Sequence, residues 1–122
     1  MSLASVRSAV VTGLQSISGL RVYDHIPDGF NEFPAVAVRL WAANYTDSTY
    51  TFRLLLVAAG WNVAEAELAL HPYLEKAGAS SIRQALCADP NCLPLAAGPV
   101  ERKLLNGLPY MGVDLTVVAK DV

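Results

Sequence analysis

The residue types that carry chemistry in this chain are few and scattered. There are two histidines, His25 and His71, and two cysteines, Cys87 and Cys92. Neither histidine has a second nitrogen ligand three or four residues away, the spacing that sets two imidazoles on one helix face around a metal. His25 lies in a Pro-Asp-Gly turn and His71 sits beside Pro72, so both read as structural or surface residues. Cys87 and Cys92, with four residues between them, match neither the two-plus-two pattern of a zinc site nor a C-x-x-C redox motif. They read as reduced thiols at a helix end, with a disulfide as the alternative if the backbone between them turns sharply. Ser80-Ser81 falls at a helix start, where a hydroxyl serves as a cap. Gly98-Pro99 and Asn106-Gly107 are turn formers, and no glycine cluster joins a strand to a helix start as a phosphate cradle requires. No nucleophile, base and orienting acid assemble, so the expectation is a protein without catalytic residues, metal or cofactor. Were it an enzyme, His71 and Cys87 would be the candidates.

Two polar features stand out. Arg39, Arg53 and Asp114 each occupy mid-strand positions among apolar residues, each in the face set opposite the main apolar one. If their strands are neighbours the three meet as an ion-pair cluster, because a lone buried charge costs several kcal/mol. The other reading is a partly solvated sheet face. Trp41, Tyr45, Asp47 and Tyr50 cluster around a hairpin tip, and Tyr and Trp are the residues that anchor protein interfaces. With Arg39 and Arg53 they form a candidate subunit or partner interface, unless the aromatic ends fold back onto the domain.

These residues need a scaffold, and hydrophobic periodicity supplies one. Leu3, Val6, Val10, Leu14 and Ile17 make the one-sided stripe of a helix over 2–17, stopped by Gly19. A short strand at 20–24 and a turn-rich loop at 25–32 follow. The runs 35–41 and 49–58 alternate as two central, mostly buried strands, paired as an antiparallel hairpin over 35–58 that projects with its tip near 44–48. Asn62 caps a second helix whose stripe is Val63, Ala66, Leu70, Leu74 and Ala77, kinked or restarted near His71 by Pro72. A third helix starts at Ser80 or Ser81, buries Ile82, Ala85 and Leu86, and ends at Asp89-Pro90. Residues 91–99 read as loop. Residues 100–105 and 108–119 flank Asn106-Gly107, the strongest short hairpin signal. The order α-β-β-β-α-α-β-β predicts an α+β fold, a mostly antiparallel or mixed sheet of about five strands with two to three helices on one face.

The chain's 122 residues amount to a single domain over 1–122. It is 53% hydrophobic but only 16% charged, against a usual share of about 25%. So small a charged share leaves apolar surface for other subunits to cover. Nine Lys and Arg against eleven Asp and Glu give a net charge of -2, and the basic residues form no stripe for nucleic acid or an anionic membrane. No apolar run approaches the ~18 residues that span a bilayer, and the first residues lack the pattern of a secretory signal. Assembly in a cytoplasm is the expectation.

End to end, the pattern resembles the tail terminator family of long-tailed bacteriophages, also termed head-tail connector or tail completion proteins. The resemblance rests on the opening helix through Ile17, the Phe33-Pro34-Ala35-Val36-Ala37-Val38 strand and the strand from Tyr50 to Val57. It continues in Tyr73-Leu74-Glu75-Lys76-Ala77-Gly78, Ser81-Ile82-Arg83-Gln84-Ala85-Leu86 and the closing Tyr110-Met111-Gly112-Val113-Asp114-Leu115-Thr116-Val117 strand. None of these is a catalytic motif. The resemblance implies a virion protein: a ring, usually of six copies, that caps the head-proximal end of the tail tube, stops tube growth and meets the head connector. Its partners would be itself, the tail tube protein and a neck protein, with DNA only as passing cargo and no membrane. A neighbouring neck or head-tail joining protein is the nearest alternative. A small cellular α+β ligand-binding domain, with a pocket between helices and sheet, is the alternative of another class.

Overall fold

The computed structural model describes residues 3–59, 62–87, 92–105 and 107–120. The chain begins with helix α1, Leu3–Gln15, whose buried stripe is Val6, Val10 and Leu14; Ser2, where the sequence places the helix start, lies outside the described residues. Ile17 continues the stripe in a turn, its N–H bonded to Leu14 O. Gly13 has a packing role: a Cβ there would stand 3.0 Å from Leu86 Cδ2, so the glycine lets α1 approach the later helix closely.

Strand β1, Arg21–Tyr23, pairs parallel with the first three residues of β2, Ala35–Asn44. β2 turns into β3, Thr49–Ala58, and the two pair antiparallel from Ala35↔Val57 to Asn44↔Thr49. Helix α2, Val63–Leu74, is capped by Asn62, whose Oδ1 accepts from Glu65 N at 2.8 Å. It ends earlier than the sequence pattern predicts. Pro72 cannot donate to Leu68 O, and after this lost bond the helix runs only two residues further, so Ala77 is exposed rather than striped into the core. Val63 is also exposed; Ala66 and Leu70 are buried, with Tyr73 and Leu74 packed beside them. Helix α3, Ile82–Cys87, is capped by Ser81, whose Oγ accepts from Gln84 N and donates to Glu75 O. Its expected end at Asp89-Pro90 lies outside the described residues.

Residues 92–97, read from sequence as loop, form β4, Cys92–Ala97. The hairpin β5, Glu101–Leu105, and β6, Leu108–Lys120, follows. Gly107 has the positive φ of 79° that the turn needs, while Asn106 lies outside the described residues. β6 explains the extra strand: its 13 residues offer β4 a free edge beyond the end of β5. Pro94 hides β4 in the sequence, but an edge strand tolerates a proline whose missing N–H is not needed by a neighbour.

The result is an α+β fold with a six-stranded mixed sheet, ordered β1-β2-β3-β6-β4, with β5 beside β4 on the same edge of β6. Val36, Val38, Phe52, Leu54, Leu56, Val113 and Val117 form the face that receives the helices, with Leu14, Leu70, Ile82 and Leu86 in the same core. The opposite face is covered at one end only. There Phe30 packs on Ala35, Ala37 and Val57, stands edge-on to Tyr23 and Tyr110, and donates its backbone N–H to Tyr110 Oη at 3.0 Å. Beyond that loop the second face is open.

Candidate binding site

β3 lies between β2 and β6 over its whole length, and the register sets what meets on the open face. Arg39 pairs directly with Arg53, whereas Arg53 faces Thr116 and Asp114 faces Leu55. Like charges directly opposite repel. A register shift between Leu40 and Ala42 inserts Trp41 as an extra residue of β2, and its ring lies against both arginines. The Arg53 guanidinium carbon lies 3.8 Å from the ring centroid and that of Arg39 lies 5.4 Å away. A guanidinium on an indole face gains about 0.5–2 kcal/mol, more as water is excluded. Trp41 thus offsets part of the repulsion between the two arginines.

The expected ion pairing of Asp114 with Arg39 and Arg53 does not form. The three side chains line one cleft, but Lys103 Nζ donates to Asp114 Oδ2 at 2.8 Å and to Glu101 Oε1 at 2.9 Å. The register explains this: Asp114 is two pairs beyond Arg53's partner Thr116, while β5 on its other side brings Lys103 within reach. The hydrogen bond to Asp114, then that to Glu101, holds the Lys103 ammonium above its ordinary range, against a smaller opposing effect of burial. Among the described residues, neither arginine has a carboxylate partner. Arg53 Nε is buried and has no hydrogen-bond partner among the described residues. Ile26, Leu55 and Leu104 complete the walls of this cleft of about 330 Å³.

The remaining candidate interface residues separate. Tyr45 and Asp47 lie at the hairpin tip, where Asn44 Oδ1 accepts from the N–H groups of Thr46 and Asp47 and the Asn44 amide donates to Asp47 Oδ2. Tyr45 is 85% exposed, the most open large apolar side chain among the described residues. Tyr50 is half-buried and packs on the core from the helix side, as its alternation with Phe52 requires, so it belongs to another surface. The hairpin projects less than expected, because β6 pairs β3 as far as Thr49↔Lys120, leaving 45–48 beyond the paired strands. Nor is β2 central along its length: past Ala37 no strand among the described residues lies on its outer edge, and residues 41–48 are all exposed.

The other chemical candidates lie apart from the cleft. His25 Nδ1 is 2.6 Å from Asp24 Oδ1, an exposed contact whose hydrogen bond holds the Asp24 carboxyl below its ordinary range. His71 is exposed in the last turn of α2. Cys87 is exposed, Cys92 is buried, and no disulfide joins them. Among the described residues, no three His, Cys, Asp or Glu side chains are grouped to hold a metal ion, and no helix is long and apolar enough to cross a membrane. A second cleft of about 240 Å³ runs between the helices and β4, with Tyr73, Arg83 and Pro94 in its walls.

Comparison with protein-family models and with curated proteins finds no match for this chain. The site therefore speaks through its chemistry. Two guanidiniums with no carboxylate partner among the described residues, one indole face and aliphatic walls provide binding and orientation.

Sequence reasoning placed Arg39, Arg53 and Asp114 on one face but missed Lys103. Its signal was present in β5, where Glu101 and Lys103 alternate onto the same side of a strand adjoining Asp114's strand. Alternation sets Trp41 on the same face as Arg39, but periodicity does not show the bulge at Trp41.

Proposed function

We propose that this chain is a non-enzymatic structural protein of a long-tailed bacteriophage. It closes into a ring on the head-proximal end of the tail tube, stops tube polymerisation and forms part of the head-tail interface. The observation that carries this reading is the uncovered distal half of the β2–β3 hairpin, where Trp41, 49% exposed, lies on an edge that no strand among the described residues pairs, and Tyr45, 85% exposed, lies at the tip. Rigid aromatic side chains so displayed anchor protein contacts. Leu68, 70% exposed on α2, adds apolar exposure on the helix side of the molecule, as a head-to-tail contact between copies requires, while Leu104 at 73% extends the exposed surface beside Trp41. The resemblance of the element pattern to tail terminators supplies the place in the virion, and the small share of charged residues agrees with a surface largely covered by neighbours.

Native mass spectrometry across a concentration series tests the ring. A closed assembly, six copies by resemblance, is the expected result, and Tyr45→Ala should weaken it. A strict monomer or dimer at every concentration would count against ring formation by the chain itself.

A further inference from the structure

The cleft on the open sheet face holds more positive charge than its own residues neutralise. Lys103 is engaged by Asp114 and Glu101 at one end. At the other end Arg39 and Arg53 stand directly opposite each other across β2 and β3, with no carboxylate partner among the described residues. Trp41 supports both from one side, yet a π face takes no N–H hydrogen bond of the strength that a carboxylate oxygen does. Arg53 Nε is a buried donor with no acceptor among the described residues, which leaves the outer N–H groups of the guanidinium as the donors open to a partner in the cleft.

We infer that this cleft is a receptor for a carboxylate, seated between the guanidiniums of Arg39 and Arg53 against the edge of Trp41. Planar guanidinium forks match a carboxylate's two oxygens, and one negative charge there relieves the repulsion between the arginines. Asp114 sets the charge of the ligand: its carboxylate shares the same cleft and repels a second negative charge, which favours a monocarboxylate over phosphate. Ile26, Leu55 and the largely exposed Leu104 set the rest of the ligand, giving a carbon chain an apolar wall. An acidic side chain of another copy of this protein and a free aliphatic carboxylic acid share this chemistry. The inference stands apart from the capping role, since either source fits the cleft whether or not the chain closes a ring.

The test is NMR observation of the Trp41 indole N–H and the Arg53 Nε–H in the full chain, titrated with hexanoate, hexanamide and inorganic phosphate. Hexanoate should shift both signals saturably, hexanamide should not, and phosphate should bind more weakly. Arg53→Met should weaken hexanoate binding about tenfold or more. Arg39→Gln, at an exposed position that does not threaten the fold, should weaken it in the same direction. If another copy is the source, the signals move with protein concentration before any ligand is added, and hexanoate reverses the shift. A response to hexanoate without that concentration dependence identifies a free acid as the source. Equal responses to hexanoate and hexanamide, equal binding of phosphate, or no response to hexanoate or to protein concentration would each overturn the inference.

Discussion

Alanine at Gly112 should destabilise the protein while alanine at Gly98 should not, although both glycines adjoin the same sheet. Gly112 sits in β6 between Val57 of β3 and Glu101 of β5. A Cβ there would lie 2.7 Å from Leu56 O and 3.0 Å from Val57 Cγ1. The first of these is backbone oxygen in a strand held on both sides, so relief requires β3 to shift against β6 by several tenths of an ångström. Overpacking of this kind costs about 1–3 kcal/mol. Alanine regains about 0.4–1 kcal/mol by restricting the unfolded chain, leaving a net loss of about 1–2 kcal/mol. For a domain of this size that is a fall in Tm of roughly 3–10 °C. At Gly98 the added Cβ would meet Asp114 O at 3.7 Å, an ordinary contact, and the Gly98 N–H to Asp114 O bond of 2.8 Å is kept. Gly98→Ala should therefore be neutral or stabilising by up to about 1 kcal/mol. Urea denaturation of both variants, with the m-value checked against wild type, measures the difference. Equal stabilities at unchanged m would refute the close approach of β3 and β6 on which the arrangement of Arg53 and Asp114 depends.

A double-mutant cycle of Trp41→Leu and Arg53→Met should give a coupling of about 0.5–2 kcal/mol in urea unfolding, and additive effects would remove the cation–π contact. Lys103 is held above 10.5 in the folded protein, so its pairing stabilises below that value and is lost as pH rises from 10.5 through the higher folded value. Stability profiles into that alkaline range should show this loss in wild type and not in Lys103→Met. Tyr45→Ala should leave stability within about 0.5 kcal/mol, as at other exposed sites, while weakening assembly in native mass spectrometry. Tyr50→Ala should instead lower Tm, because Tyr50 packs against the core; a Tyr45 variant that unfolds or assembles normally would remove the hairpin tip from the interface.

The legible parts of the fold are those where one periodicity runs uninterrupted. Val6, Val10 and Leu14 specify α1, and the alternation through Phe52, Leu54 and Leu56 and through Val113, Leu115 and Val117 specifies the two central strands. β4 was hidden because Pro94 and the following Gly98-Pro99 carry turn chemistry, and only the surplus length of β6 makes an edge strand there possible. β2 looked central because its residues alternate, but alternation reports a strand and not its neighbours; β1 covers three residues and leaves the rest at an edge. At the cleft, face parity brought Arg39, Arg53 and Asp114 together correctly. Which charge pairs with which depends on register, and the Lys103–Asp114 bond and the Trp41 bulge arise from register alone. Tyr50 is the converse case: parity with Phe52 already assigned it to the buried face, and proximity to the tip in sequence was the misleading cue.

The capping role itself is tested most directly by the length distribution of phage tails assembled without this protein, measured by electron microscopy. The account predicts overlong or ragged tails, restored to uniform length when the protein is supplied. Tails of normal length that fail to join heads would contradict it and assign the chain to head-tail joining instead.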